Sequence, residues 1–179
     1  MIETNFTPFP ILTTNRLFLR QLETTDDKDI FFHRSDDKVN KYLEGFRHSS
    51  IEQTQTFIER IQKEVADNKT ILWVLTQKGH NKFLGTICLW NISRNEYKAE
   101  TGYTLDPEFQ GLGYMNEALV KVIDFGFNKM KLKTIEAYTH ENNESSIKLL
   151  LRNKFKQSTS PKAGIGNNRI FFLLSSEIA

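Results

Sequence analysis

Between residues 98 and 139 the chain reads strand, glycine loop, amphipathic helix, strand, and that order dictates a parallel crossover. Lys98 to Leu105 is strand-like and ends at Asp106-Pro107, where proline stops the ladder. Met115 to Met130 carries Ala118, Leu119, Val122, Ile123 and Gly126 on one face, the stripe of a helix buried against a sheet. Thr134 to Thr139 follows as a second strand.

The segments before this unit are patterned differently. Arg16 to Leu22 alternates polar and apolar residues, the period of a half-buried strand. Ile71 to Thr76 and Phe83 to Trp90 flank a tight turn at Lys78-Gly79-His80-Asn81. With Lys98 to Leu105 they predict an antiparallel meander. Helices are expected from Thr25 to Arg34, from Asp37 to Leu43 and from Glu52 to Asn68, the last capped by Ser50 with Gln53 completing a capping box. After the crossover come a helix from Ser145 to Asn153 and a hairpin of Phe155 to Ser158 with Arg169 to Leu174, across a glycine-containing loop. The expectation is one α/β domain over residues 1–179, a mixed, mostly antiparallel sheet with helices on both faces.

The sharpest chemical signal lies between the third meander strand and the buried helix. Gln110-Gly111-Leu112-Gly113-Tyr114-Met115 places two glycines, one residue apart, at a helix N-terminus. Glycine allows a tight turn, and unpaired N–H groups backed by the helix dipole make a cradle for phosphate. Spacing alone leaves a plain strand-to-helix turn equally open. A dinucleotide fingerprint needs a third small residue where Asn116 stands, directly after a strand. A Walker-type loop needs Lys-Ser/Thr where Tyr114-Met115 follow. Both fail.

This loop resembles the Gln/Arg-x-x-Gly-x-Gly/Ala acetyl-CoA loop of the GNAT superfamily of N-acetyltransferases. Glu117-Ala118-Leu119 is similar to the Glu-Ala-Leu of its ribosomal-protein N-terminal acetyltransferase branch. Thr14-Asn15-Arg16-Leu17-Phe18-Leu19-Arg20, Ala99-Glu100-Thr101-Gly102-Tyr103 and Asn143-Glu144-Ser145-Ser146 resemble further motifs of that branch, in the same order, over residues 12–174. Three departures stand out: Met115 replaces a small residue, Lys154 stands where glycine precedes Phe155, and no tyrosine follows Tyr138.

The resemblance implies a GNAT-like fold and transfer of an acetyl group from acetyl-CoA to a primary amine. The acceptor would be a protein N-terminus such as that of a ribosomal protein, or a small amine such as an antibiotic or polyamine. Gln110, Gly111, Leu112, Gly113, Tyr114 and Met115 would hold the pyrophosphate. A splay between two strands would let the pantetheine pair with the edge of Tyr103, Thr104 and Leu105, with the Leu105 N–H as oxyanion donor. Asn143 would bond the pantetheine or lock its loop, capping being the alternative. Glu100, between apolar neighbours, is the expected base, with an inert edge carboxylate as its alternative. Ser146 matches the acid near the CoA sulfur, against a helix-capping serine. The acceptor cleft would be walled by residues 31–47 and 158–169, and family habit points to a homodimer. A non-catalytic acyl-CoA-binding regulatory module remains the other class.

Other chemistries find little support. The chain of 179 residues has 24 basic and 22 acidic side chains, too balanced for a nucleic-acid face. No apolar run reaches the roughly 20 residues of a membrane span. Cys88 is alone, and with no basic n-region at the start a cytoplasmic setting is expected. His33, His48, His80 and His140 lack metal-ligand spacing and read as surface or loop residues, so no metal is expected. No Gly-x-Ser-x-Gly or Cys–His pattern marks a covalent acyl-enzyme, which favours direct attack in a ternary complex.

Overall fold

A computed structural model describes residues 2–43, 45, 47–158 and 168–177. The alternation read in the sequence becomes an eight-stranded sheet. Its strands are β1 (Leu12–Thr13), β2 (Leu17–Gln21), β3 (Ile71–Gln77), β4 (Phe83–Ser93), β5 (Lys98–Leu105), β6 (Thr134–His140), β7 (Lys156–Ser158) and β8 (Arg169–Ser175). Their order across the sheet is β1-β2-β3-β4-β5-β6-β8-β7. All neighbours are antiparallel except β5 and β6, the parallel pair that the crossover requires.

Helices α1 (Asp27–Ser35) and α2 (Ile51–Ala66) cover one face, and α3 (Tyr114–Asp124) and α4 (Glu144–Arg152) the other. Strand register assigns the faces. Leu72 pairs with Cys88, and Val74 with Thr86 and so with Thr104, on the side of Ile30, His33 and Phe57. Trp73, Ile87 and Tyr103 share the opposite side, where Trp73 meets Phe125 edge-on at 5.3 Å. Leu17, Leu19, Trp73, Leu89 and Leu119 are fully buried, and each such side chain contributes about 1.5–3 kcal/mol.

Two helical expectations change. Asp37 to Leu43 forms turns rather than a helix. The Asp36 carboxylate accepts from the N–H groups of Lys38 (2.7 Å) and Val39 (2.8 Å), and Asn40 donates to the His33 and Asp36 carbonyls. These side-chain bonds displace the helical ladder. The buried helix keeps nearly its expected length but changes in kind: after Asp124 it continues as a π-helical turn over Phe125–Lys129, closed by Met130 N–H to Phe125 O at 3.0 Å. There Gly126 packs against β6, where a Cβ would lie 3.0 Å from Ile135 Cδ1. β1 is an addition, since only β2 was legible on that side. The hairpin of β7 and β8 forms as expected, while its connecting loop, residues 159–167, lies outside the described residues.

Candidate functional site

β5 and β6 pair in register over only four residues: Lys98 with Thr134, Ala99 with Ile135, Glu100 with Glu136, and Thr101 with Ala137. Beyond Thr101 they diverge. On its other side β5 stays paired with β4 as far as Leu105 opposite Gly85. Gly102, Tyr103, Thr104 and Leu105 therefore present one backbone edge to a gap rather than to a strand, the geometry into which an amide-bearing chain can pair.

The gap leads to the glycine loop. A 3-10 turn at Pro107–Phe109, capped by the Asp106 carboxylate on Glu108 N–H (2.9 Å), redirects the chain. Gln110 Nε2 donates to Leu105 O at 3.0 Å and ties the loop to the strand end. Gly111 (φ 76°) and Gly113 (φ 81°) both take the left-handed conformation, which costs an L-residue about 1–2 kcal/mol, so the loop favours glycine at both places. Gly113 is the N-cap of α3 and, as glycine, has no side chain with which to cap it. Among the described residues, no backbone bond outside the regular elements is donated by the N–H groups of Gly111 to Met115. Tyr114 and Met115 turn their side chains inward and are buried, whereas Leu112 is exposed, so what this stretch offers a ligand is main chain. An anion fits such an opening, with the helix dipole behind it.

Ser146 reaches the same gap. Its Oγ lies 2.8 Å from the hydroxyl of Tyr103, on the α3–α4 face of β5. Burial pushes the Tyr103 phenol up to about 12, against the opposing effect of its bond to Ser146, so it stays protonated. The helix cap is Asn143, whose Oδ1 accepts from Ser146 N–H at 3.1 Å. The capping alternative therefore falls to Asn143 and leaves the Ser146 hydroxyl for the gap.

Glu100 projects to the opposite face and is buried, with Asn91 Nδ2 donating to its Oε2 at 3.1 Å. Cys88 and Gly102 adjoin it: Cys88 Sγ donates to Gly102 O at 3.4 Å, and burial pushes the thiol up to about 12, which keeps it un-ionised. Among the described residues no group of three or more His, Cys, Asp or Glu side chains is arranged to hold a metal ion, and no helix is long and apolar enough to cross a membrane.

His33 departs from the surface or loop position expected of it, and His48 lies in a loop as expected but is buried. His33 is 3% exposed, sits edge-on to Phe83 at 5.0 Å, and its Nδ1 is 3.5 Å from Thr104 Oγ1, which in turn lies 3.1 Å from Thr86 Oγ1. Burial lowers its pKa, against the opposing charges of Asp106 and Asp36. His48 is buried between Thr54 Oγ1 (2.8 Å) and Arg34 Nε (2.9 Å), and burial with the nearby Arg34 and Arg60 charges pushes it down to about 4. His33 fastens α1 to the sheet, and His48 fastens the α1–α2 connection to α1 and α2, beside the expected acceptor wall. The opposite wall, residues 158–169, falls largely outside the described residues.

A further cluster went unassigned in the sequence. Glu117, in the first turn of α3, accepts from Thr14 Oγ1, Arg16 N–H (2.7 Å) and Arg16 Nε (2.8 Å). The Thr14-x-Arg16 and Glu117 motifs were both visible, but nothing in one dimension pairs residues about a hundred positions apart.

Comparison with known proteins supplies the context. The family model for the "Acetyltransferase (GNAT) domain" matches residues 16–156. The uncharacterized N-acetyltransferase YoaA of Bacillus subtilis (strain 168) is 33% identical over 149 residues, covering 83% of this chain and 84% of that protein. Among solved structures, the ribosomal-protein-S5-alanine acetyltransferase of Vibrio fischeri superposes with a TM-score of 0.79 at 22% identity, covering 95% of this chain and 99% of the other. The spermidine N-acetyltransferase of Vibrio cholerae, in complex with CoA and spermine, superposes with a TM-score of 0.78 at 19% identity, covering 90% and 96%. At these identities the structural likeness speaks to the fold.

Proposed function

The chain belongs to the GNAT family of acetyltransferases, and we propose that it moves the acetyl group of acetyl-CoA to a primary amine by direct attack within a ternary complex. The observation that carries this reading is that the β5 edge, left without a strand partner beyond Thr101, runs through the glycine loop to a glycine N-cap at the start of α3. One groove thus offers backbone pairing for pantetheine and N–H groups for a diphosphate. Gly111 to Met115 would hold the diphosphate through their amides, with Gln110 bracing the loop. Tyr103, Thr104 and Leu105 would pair with the pantetheine. Asn143 would support this arm by holding the start of α4, its Oδ1 being engaged in the cap.

Acetyl-CoA supplies an activated thioester. The protein's part is to orient it, to remove a proton from the amine and to protonate the departing sulfur. Glu100, a residue of β5, and Ser146, which packs on β5 through Tyr103, suit the two proton transfers because they lie on opposite faces of that strand. Glu100, directly or through water, takes a proton from the ammonium so that the free amine can attack the thioester carbonyl, and the second proton leaves the nitrogen to solvent once the C–N bond has formed. Ser146, backed by the Tyr103 hydroxyl, delivers a proton to the sulfur as the C–S bond breaks. Ser146 Oγ touches the Tyr103 phenol, so the thioester sulfur would lie near that hydroxyl. The Leu105 N–H on the β5 edge would be the oxyanion donor.

For the acceptor, the branch resemblance favours a protein or peptide N-terminus. A polyamine or other small amine is the second reading, favoured by Glu100 and Glu136 lying side by side in register on the acceptor face. Lys98, 3.2 Å from Glu136, offsets part of that charge. The test is acetyl transfer from acetyl-CoA to a panel of N-terminal peptides, spermidine and an aminoglycoside, read by mass spectrometry. Acetylation of a peptide α-amine with the highest kcat/KM supports the reading. Saturable CoA binding with no transfer to any amine overturns it in favour of a regulatory module.

A further inference from the structure

Arg16 lies in the short connection between β1 and β2, yet most of its polar atoms are directed at the glycine loop and the first turn of α3. Its backbone N–H and its Nε donate to the two oxygens of Glu117. Its Nη1 donates to Leu112 O at 3.1 Å, and its guanidinium lies over the Tyr114 ring with a centroid distance of 4.3 Å. Thr14 completes the clamp by donating its hydroxyl to Glu117 and accepting Leu17 N–H at 2.9 Å.

Two consequences follow from elementary chemistry. The carbonyl of Leu112 and the N–H of Gly113 belong to one trans peptide and point in opposite directions. Fastening Leu112 O to Arg16 therefore aims Gly113 N–H away from the clamp, and Gly113 can supply that orientation because its φ is left-handed. Second, Glu117 places a carboxylate in the first turn of the helix whose positive end is to meet a diphosphate. Left alone, that charge competes with the ligand for the same dipole and repels it. Held by one guanidinium, one hydroxyl and one amide, it is neutralised and turned toward β2.

Resting on the acetyl-CoA reading above, we propose that Arg16 is a positioning residue for the diphosphate of acetyl-CoA, fixing the Leu112–Gly113 peptide and screening Glu117 from the phosphates. The interaction acts on the diphosphate and on no other part of the donor, which gives a test that simple destabilisation does not mimic. KM is measured for acetyl-CoA and for acetyl-pantetheine, which lacks the diphosphate, in wild type, Arg16→Gln, Arg16→Lys and Arg16→Gln/Glu117→Gln.

Arg16→Gln is expected to raise KM for acetyl-CoA about ten- to a hundredfold, the worth of a lost charged hydrogen bond and an uncovered like charge, and to leave acetyl-pantetheine within about twofold. Adding Glu117→Gln removes the repulsion and should recover at least about threefold of the loss. Equal effects on both donors, or an unchanged KM for acetyl-CoA, overturn the proposal. Should Arg16→Gln not fold, as judged by circular dichroism, Arg16→Lys carries the same comparison: loss selective for acetyl-CoA supports it, and no selectivity overturns it. Failure of the wild type to bind CoA at all refutes the acetyl-CoA reading itself and is recognised separately by calorimetry.

Discussion

Gly85 stands opposite Leu105 in the β4–β5 ladder, directly behind the segment of β5 that faces the gap. A Cβ at this position would lie 2.1 Å from Thr104 O, 2.9 Å from Leu105 Cα and 3.0 Å from Thr104 C. All three are backbone atoms, so no side chain can swing aside. Restoring ordinary contact requires β5 to move by about 1 Å, an overpacking strain of about 1–3 kcal/mol. For a chain of this size that lowers Tm by about 2–4 °C for each kcal/mol. The displacement falls on Thr104 and Leu105, so Gly85→Ala should also lower kcat/KM for acetyl-CoA by about 10- to 100-fold, as misplacements of this size do. Gly79→Ala is the control. Its Cβ meets nothing within 4 Å, and at φ 85° it costs only backbone strain of about 1–2 kcal/mol. The assay pairs thermal melts with steady-state kinetics well below both melting points. A Gly85→Ala protein with wild-type kcat/KM, or one no more impaired than Gly79→Ala, refutes the claim that the edge of β5 positions the donor.

Three other outcomes are expected. Gly113→Glu should abolish detectable CoA binding by calorimetry, because a strained backbone and a negative charge both enter the cradle; unchanged affinity rejects the assignment. Glu100→Gln should lower kcat at pH 7 by about 10²-fold or more and leave CoA affinity nearly intact, and a wild-type rate removes Glu100 as base. His48 binds protons less readily when folded, about pKa 4 against an ordinary 6.5, so the unfolded chain holds more protons between those values. Stability is therefore full above pH 6.5 and declines as pH falls toward 4, with a slope of at most about 1.4 kcal/mol per pH unit. Denaturant midpoints at several pH values check this, and His48→Gln should flatten that part of the profile.

Periodicity and turn chemistry made much of the fold legible. Met115 to Ile123 repeats its apolar residues at helical spacing and lies between two strand-like runs, so the crossover was readable without a structure. The region from Asp37 to Leu43 misled because its outcome depends on which groups the Asp36 and Asn40 side chains bond, a local competition that apolar spacing does not register. The burial of His33 and of the loop residue His48 was hidden for another reason. A polar ring is read as exposed unless its partners are known, and Thr104, Thr54 and Arg34 reach these rings only through tertiary packing.

Within the candidate site, Gly111 and Gly113 announced themselves because left-handed turns leave a mark on composition. The contact between Tyr103 and Ser146 did not, since a hydroxyl pair across β5 and α4 leaves no trace in spacing. Lys154 illustrates the reverse case. Its φ of 65° is the left-handed conformation that favours glycine, the residue of the motif this turn resembles, and the departure concerns a turn.

The central claim is that the main-chain amides of Gly111 to Met115 grip the diphosphate of acetyl-CoA, and amide NMR during a CoA titration tests it most directly. Saturable shifts of the Gly111, Gly113 and Tyr114 N–H resonances are predicted, together with loss of those shifts when pantetheine replaces CoA. CoA binding that leaves these resonances unmoved contradicts the account.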